Sequence, residues 1–217
     1  MRDRGPAEKR PRAATRLDRD VAPVAYHVAL DVDPVRGPDY TGEVTIHLRL
    51  EKPRRQIELH AADLRIARAR IESAEGALGA RVELDAERQT ATLALPRPIG
   101  PGDATLRIAF AGRLRGDLRG LYAARAGDQP YAFTQLEAAD ARRFFPCFDE
   151  PAMKARFTLV VETRAELAVL SNSPIARTEK LAGGRKRVHF AETPRLSTYL
   201  IALAVGALER SRAVKLG

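Results

Sequence analysis

The chain has 217 residues, 45% of them hydrophobic and 30% charged, with a net charge of +9. That length supports a real core, and that balance excludes wholesale disorder. A single cysteine excludes an internal disulfide framework.

Taken in chain order, the first segment is MRDRGPAEKRPRAATR, residues 1–16, the one cluster of basic residues. No apolar stretch follows its charges, so it is not a secretory signal, and it reads as a solvated, flexible tail. The remaining arginines are interleaved with acids along the chain, which argues against a nucleic-acid partner despite the net charge.

Strands follow. VAYHVALDV alternates Tyr26, Val28, Leu30 and Val32 against smaller or polar neighbours, the period of a half-buried strand. EVTIHLRL places Val44, Ile46, Leu48 and Leu50 on one face. QIELHAADLRI, RVELDAERQTATLALP and ATLRIAFAGRL come next, separated by Gly, Pro and Asp. Beyond residue 155, ARFTLVVET sets Phe157, Leu159 and Val161 on one face, and RKRVHFAET and STYLIALAVGALE continue as strands. The Gly183-Gly184 pair predicts a hairpin turn. The longest apolar run, Tyr199–Leu208, is too short to span a bilayer and reads as a buried strand. Short strands without a long amphipathic helix predict an all-β antiparallel sandwich. The tail without a signal, the short apolar run and the single cysteine predict a soluble cytoplasmic protein without a membrane partner.

Candidate chemistry is sparse. His27, His47, His60 and His189 show no HExxH spacing, no CxxC occurs, and no GxSxG, Walker A or GxGxxG is present, so spacing predicts no metal or nucleotide site. His27 and His47 occupy alternate strand positions and read as surface or packing residues. Cys147 lies between Pro146 and Phe148 beside two acids; an acidic setting disfavours the thiolate, so it reads as a structural, buried residue rather than a nucleophile.

One stretch differs from the rest: TQLEAADARRFFPCFDEP, residues 134–151. Asp140, Arg142, Arg143, Asp149 and Glu150 predict a charge network that folds a loop onto the strands, anchored by Phe144, Phe145 and Phe148. Gln135 and Glu137 fall outside that account. In extended backbone, residues two apart point to the same side, so the pair is either a recognition surface for an ammonium group or two exposed strand polars.

This stretch closely resembles the motif T-Q-x-E followed by D-A-R-x-x-F-P-C-x-D-E-P of the zinc aminopeptidases of the aminopeptidase N family, gluzincins related to leukotriene hydrolase and the endoplasmic-reticulum aminopeptidases. RLDRDVAPVAYHVALDV, YTGEVTIHLRL, IELHAADLRI, LRGLY, LSNSP and TPRLSTYLIALAVGALE fall in the family's order, from about Leu17 to Glu209. The resemblance implies a saddle-shaped N-terminal β-sandwich over 17–210, packed on a zinc-bearing catalytic domain of the same polypeptide, with 211–217 as a linker stub. It implies that Glu137 binds the α-ammonium of a peptide N-terminus and that Gln135 lines the pocket for the first side chain. Asp140, Arg142, Cys147, Asp149 and Glu150 would be structural.

The family's HExxH and G-x-M-E-N segments belong to the catalytic domain, and neither occurs in the 217 residues. This chain alone is therefore expected to bind no zinc and to be inactive. A free-standing, non-catalytic peptide- or protein-binding module is the alternative. A nucleic-acid binder acting through the basic tail is the least favoured reading; it would lose affinity steeply with salt.

Overall fold

The computed structural model describes residues 16–209. The predicted linker stub, and the predicted tail except Arg16, lie outside them.

Fourteen strands form two sheets among the described residues. The first eight begin with β1 (Val21–Asp31), β2 (Asp39–Leu50), β3 (Arg54–His60) and β4 (Arg65–Ser73). They continue through β5 (Gly76–Asp85), β6 (Thr90–Ile99), β7 (Gly102–Arg113) and β8 (Gly120–Ala126). Then come β9 (Gln129–Gln135), β10 (Arg156–Arg164), β11 (Ala168–Ser171), β12 (Ile175–Leu181), β13 (Arg185–Phe190) and β14 (Leu203–Gly206). The larger sheet has the order β12-β13-β10-β1-β2-β7-β4-β5-β6-β3, and the smaller β11-β14-β9-β8. Within the larger, β5 pairs with β4 through its first half and with β6 through its second, so the sheet turns a corner near Ala80–Arg81. The fold is an all-β sandwich. Among the named strands one pair, β1 with β10, is parallel, and the other pairings are antiparallel.

The strand faces read from alternation are the buried ones. Tyr26, Val28, Leu30 and Val32, then Val44, Ile46, Leu48 and Leu50, then Phe157, Leu159 and Val161, all lie in one continuous core. Their outward neighbours carry charge. Asp31 of β1, Glu162 of β10, Arg187 of β13 and Glu179 of β12 stand side by side in register. Arg187 pairs with Glu162 at 2.6 Å and Glu179 at 3.1 Å, while Arg185 neutralises Asp31 at 2.7 Å. Cross-strand pairing of this kind solvates the outer face of the larger sheet.

The single strand expected over Tyr199–Leu208 is not one element. Thr198–Leu200 forms a 3-10 turn and only Leu203–Gly206 is strand. The reason is local hydrogen bonding: Ser197 Oγ donates to the Pro151 carbonyl (2.7 Å), Thr198 Oγ1 to Asp149 (2.7 Å), and Asn172 Nδ2 to the Leu200 carbonyl (2.8 Å). Side chains thus bend the segment before a ladder can form. The Gly183-Gly184 pair does sit in the β12–β13 connection, both residues with φ near +69.

Candidate functional site

The stretch 134–151 begins as the end of β9 and continues as a loop pinned to the core. Phe144, Phe145 and Phe148 are fully buried. Phe145 meets Tyr26 edge-on, and Tyr26 stacks on Phe157 with centroids 4.7 Å apart. The two tyrosine hydroxyls bind the loop backbone: Tyr40 donates to the Phe144 carbonyl at 2.8 Å, and Tyr26 accepts the Phe148 N–H at 3.1 Å. Buried phenols need such partners.

The charged residues separate into two groups rather than one network. Asp149 is buried and accepts from Arg142 Nε (2.9 Å) and Thr198 Oγ1 (2.7 Å). Its own N–H donates to His60 Nδ1 at 3.2 Å. Arg142 also donates to the Asp149 carbonyl (3.2 Å) and Gln89 (3.4 Å), so the guanidinium clamps the loop on itself. The second group lies nearer the surface, with Asp63 half-exposed: Arg143 pairs with Asp140 at 2.8 Å and with Asp63, which Arg115 also holds. Glu150 joins neither. It accepts the Leu17 N–H at 2.6 Å, tying the start of the sandwich to the loop. His60 and Thr198 belong to the Asp149 group although spacing gave no hint of them, since both come from distant segments.

Cys147 is buried and forms an antiparallel bridge with His60, with N–H···O distances of 2.8 and 3.0 Å. The loop thereby extends the edge of β3 by one pair. Burial, with the Asp149 charge second, holds the thiol well above its usual pKa, so it stays protonated and unreactive. Burial, with the Arg142 charge second, lowers His60 to about 4. His60 is therefore neutral at pH 7, with Nδ1 free to accept from Asp149.

Gln135 and Glu137 occupy a different setting. Both are exposed and Leu136 between them is buried. Gln135 closes β9 opposite Gly120, and Glu137 opens the turn that leads to Asp140; the Glu137–Ala138 peptide bond is cis. Two residues upstream on the same side of β9 is Phe133. Its row across the smaller sheet is Leu170, Ala204, Phe133, Tyr122. The next row is Ala168, Gly206, Tyr131, Ala124. Tyr131 stacks on Phe133 at 5.8 Å, and its ring covers Gly206, where a Cβ would lie 2.2 Å from it. Leu170 and Leu200 are more than two-fifths exposed. No strand position on this outer side is charged. The uncharged face runs out at Gln135, and Glu137 stands just past its end.

Among the described residues, no three His, Cys, Asp or Glu side chains converge to hold a metal ion, and no helix is long and apolar enough to cross a membrane. The described residues do not fit a zinc centre.

The sandwich thus has one charged outer face, one uncharged outer face and an acid at the latter's margin. Residues 22–200 match the Peptidase M1 N-terminal domain, and the chain belongs to that family. It is 37% identical over 202 residues to Aminopeptidase M1-C of Oryza sativa subsp. japonica, covering 91% of this chain and 23% of that protein. It is 36% identical over 205 residues to Aminopeptidase N of Acetobacter pasteurianus, covering 91% of this chain and 56% of that protein. Aminopeptidase M1 of Arabidopsis thaliana is 36% identical over 203 residues, 89% of this chain and 23% of the relative. The chain thus spans about a quarter to a half of these relatives' lengths.

Proposed function

We propose that this chain is the N-terminal domain of a zinc-dependent aminopeptidase and supplies the clamp for the substrate's α-ammonium group. The observation that carries the reading is the exposed Gln135–Glu137 pair, fixed by buried Leu136 and by the anchored loop behind it, at the margin of an uncharged face.

Each part has a task. The uncharged face of the smaller sheet packs on the catalytic domain of the same polypeptide, which would shield Phe133, Tyr131 and Leu170 from water. Closure of that contact places Glu137 in a partly desolvated cleft. A carboxylate there favours a charged amine over an internal amide, which yields selectivity for free N-termini. Gln135 lies beside it, where the first side chain of the peptide would rest. The zinc, which would supply an activated water and polarise the scissile carbonyl, has no ligands in residues 16–209 and belongs on this reading to the rest of the polypeptide. Residues 1–217 by themselves are expected to bind peptide N-termini weakly and not to cleave.

The test is Glu137→Gln in the full-length polypeptide. A hydrogen bond to a charged group contributes about 1.5–3 kcal/mol, so kcat/KM for an aminoacyl nitroanilide should fall roughly ten- to a hundredfold. The melting temperature should stay within about 2 °C, because Glu137 makes no core contact. Unchanged cleavage by the variant would remove Glu137 from the site, and a wild-type polypeptide without peptidase activity would favour the binding-module reading.

A further inference from the structure

Thr134 opens the T-Q-L-E segment, and the function just proposed gives it no role. Its surroundings are particular. The β9–β14 ladder consists of Ala132 with Val205 and Phe133 with Ala204. One step on, where Thr134 faces Leu203, a side chain takes over from the backbone. Thr134 Oγ1 accepts the Leu203 N–H at 2.8 Å and donates to the Leu203 carbonyl at 3.4 Å. One hydroxyl thereby meets both polar groups that a partner strand would otherwise meet, which only a group that both donates and accepts can do.

The opposite side of β9 is held differently. There the β8 ladder continues through Leu121 with Thr134 and Gly120 with Gln135. The approach to β14 is stapled on its far side by Asn172, whose Oδ1 accepts the Ala202 N–H at 2.8 Å, and by Ser171 Oγ, which donates to the Ala202 carbonyl at 2.8 Å. Gln135 therefore leaves the smaller sheet from between two supports, the β8 backbone and the Thr134 hydroxyl. Without the hydroxyl, the β14 side of that exit has no bond between the Phe133–Ala204 pair and the Glu137 turn.

We propose that Thr134 is a positioning residue for the amine clamp: its hydroxyl bridge to Leu203 fixes where Gln135 and Glu137 project from the sheet edge. The inference rests on the reading of Glu137 as the amine-binding group. Valine matches the shape of threonine and can neither donate nor accept, whereas serine keeps both functions.

The experiment compares Thr134→Val, Thr134→Ser, Asn172→Ala and Glu137→Gln in the full-length polypeptide, with an aminoacyl nitroanilide as probe and amide hydrogen exchange as a second readout. Displacing a binding group by about an ångström can lower activity as much as a hundredfold. Thr134→Val should accordingly raise KM about tenfold with a smaller change in kcat, and speed exchange at Leu203 and Gln135. Thr134→Ser should restore KM to within about threefold, by the same argument. Asn172→Ala loosens the approach to β14 at Ala202 from its other side and should leave KM within about twofold, since it does not touch β9. Thr134→Ala carries the same expectation as Thr134→Val if the valine variant does not fold. An unmoved KM in Thr134→Val overturns the proposal, as does an equal rise in Asn172→Ala, which would make the bridge merely structural. A raised KM in Thr134→Val beside an unmoved one in Glu137→Gln overturns the amine reading alone, and leaves Thr134 acting through Gln135.

Discussion

His60 shows how one buried residue ties the loop to pH. Burial, followed by the Arg142 charge, brings its pKa from 6.5 to about 4. As pH falls, the unfolded chain takes up this proton near 6.5 and the folded chain does so only near 4. Stability is therefore complete above about 6.5 and declines through that window, by on the order of 3 kcal/mol in all. Protonation also converts Nδ1 from acceptor to donor, which opposes the bond from the Asp149 N–H. His27, lowered by burial and then by His189, contributes with the same sign. The urea midpoint of the wild type should drop between pH 7 and 4.5, and the drop should be visibly shallower in His60→Gln. At this scale the sequence was partly legible: the aromatic anchors and the Arg142–Asp149 pair lie within one motif, while His60, Thr198 and Leu17 reach it from segments 89, 49 and 133 residues away.

At the scale of elements, alternation located β1, β2, β7, β10 and β13 and passed over the β8–β9 hairpin. The physical reason is visible in its side chains. On β8 and β9 Leu121 and Ala132 are buried on the inward side, and the large residues Tyr122, Tyr131 and Phe133 point outward. A rule that expects apolar residues inside and polar ones outside finds nothing to match when both sides are apolar. The same hairpin depends on Gly120. Its φ is +65, and a Cβ there would lie 2.8 Å from Arg143 Cβ. Gly120→Ala combines left-handed strain with that contact and should destabilise by about 2 kcal/mol or more. For a domain of this size that is a fall of about 4–8 °C in melting temperature. A melting temperature unchanged by the substitution would show that β8 and the Arg143 turn are not packed as described.

At the scale of the molecule, the two outer faces divide the labour. The charged ladder from Asp31 to Glu179 keeps one side in water, and the row from Leu170 to Tyr122 leaves the other unsatisfied. The isolated 217-residue chain should bind the apolar dye ANS, and Phe133→Ser with Leu170→Ser should abolish most of that fluorescence while far-ultraviolet circular dichroism is retained. Fluorescence equal in the double variant and the wild type would place the exposed apolar surface elsewhere.

The parallel pairing of β1 with β10 also sets a timetable. Residues that join β1 to β10 are synthesised about 130 positions after β1 itself. At a ribosomal rate of about 5–20 residues per second, that is roughly 7–26 s. The β1–β2 hairpin closes early, yet the other edge of β1 has no partner until Arg156 and its neighbours emerge. During that interval β1 is a bare edge rich in valine and alanine, the kind of template on which nascent chains pair with one another. Folding of this domain is thus paced by the ribosome, and its window of vulnerability closes only when the motif that carries Glu137 has already left the exit tunnel.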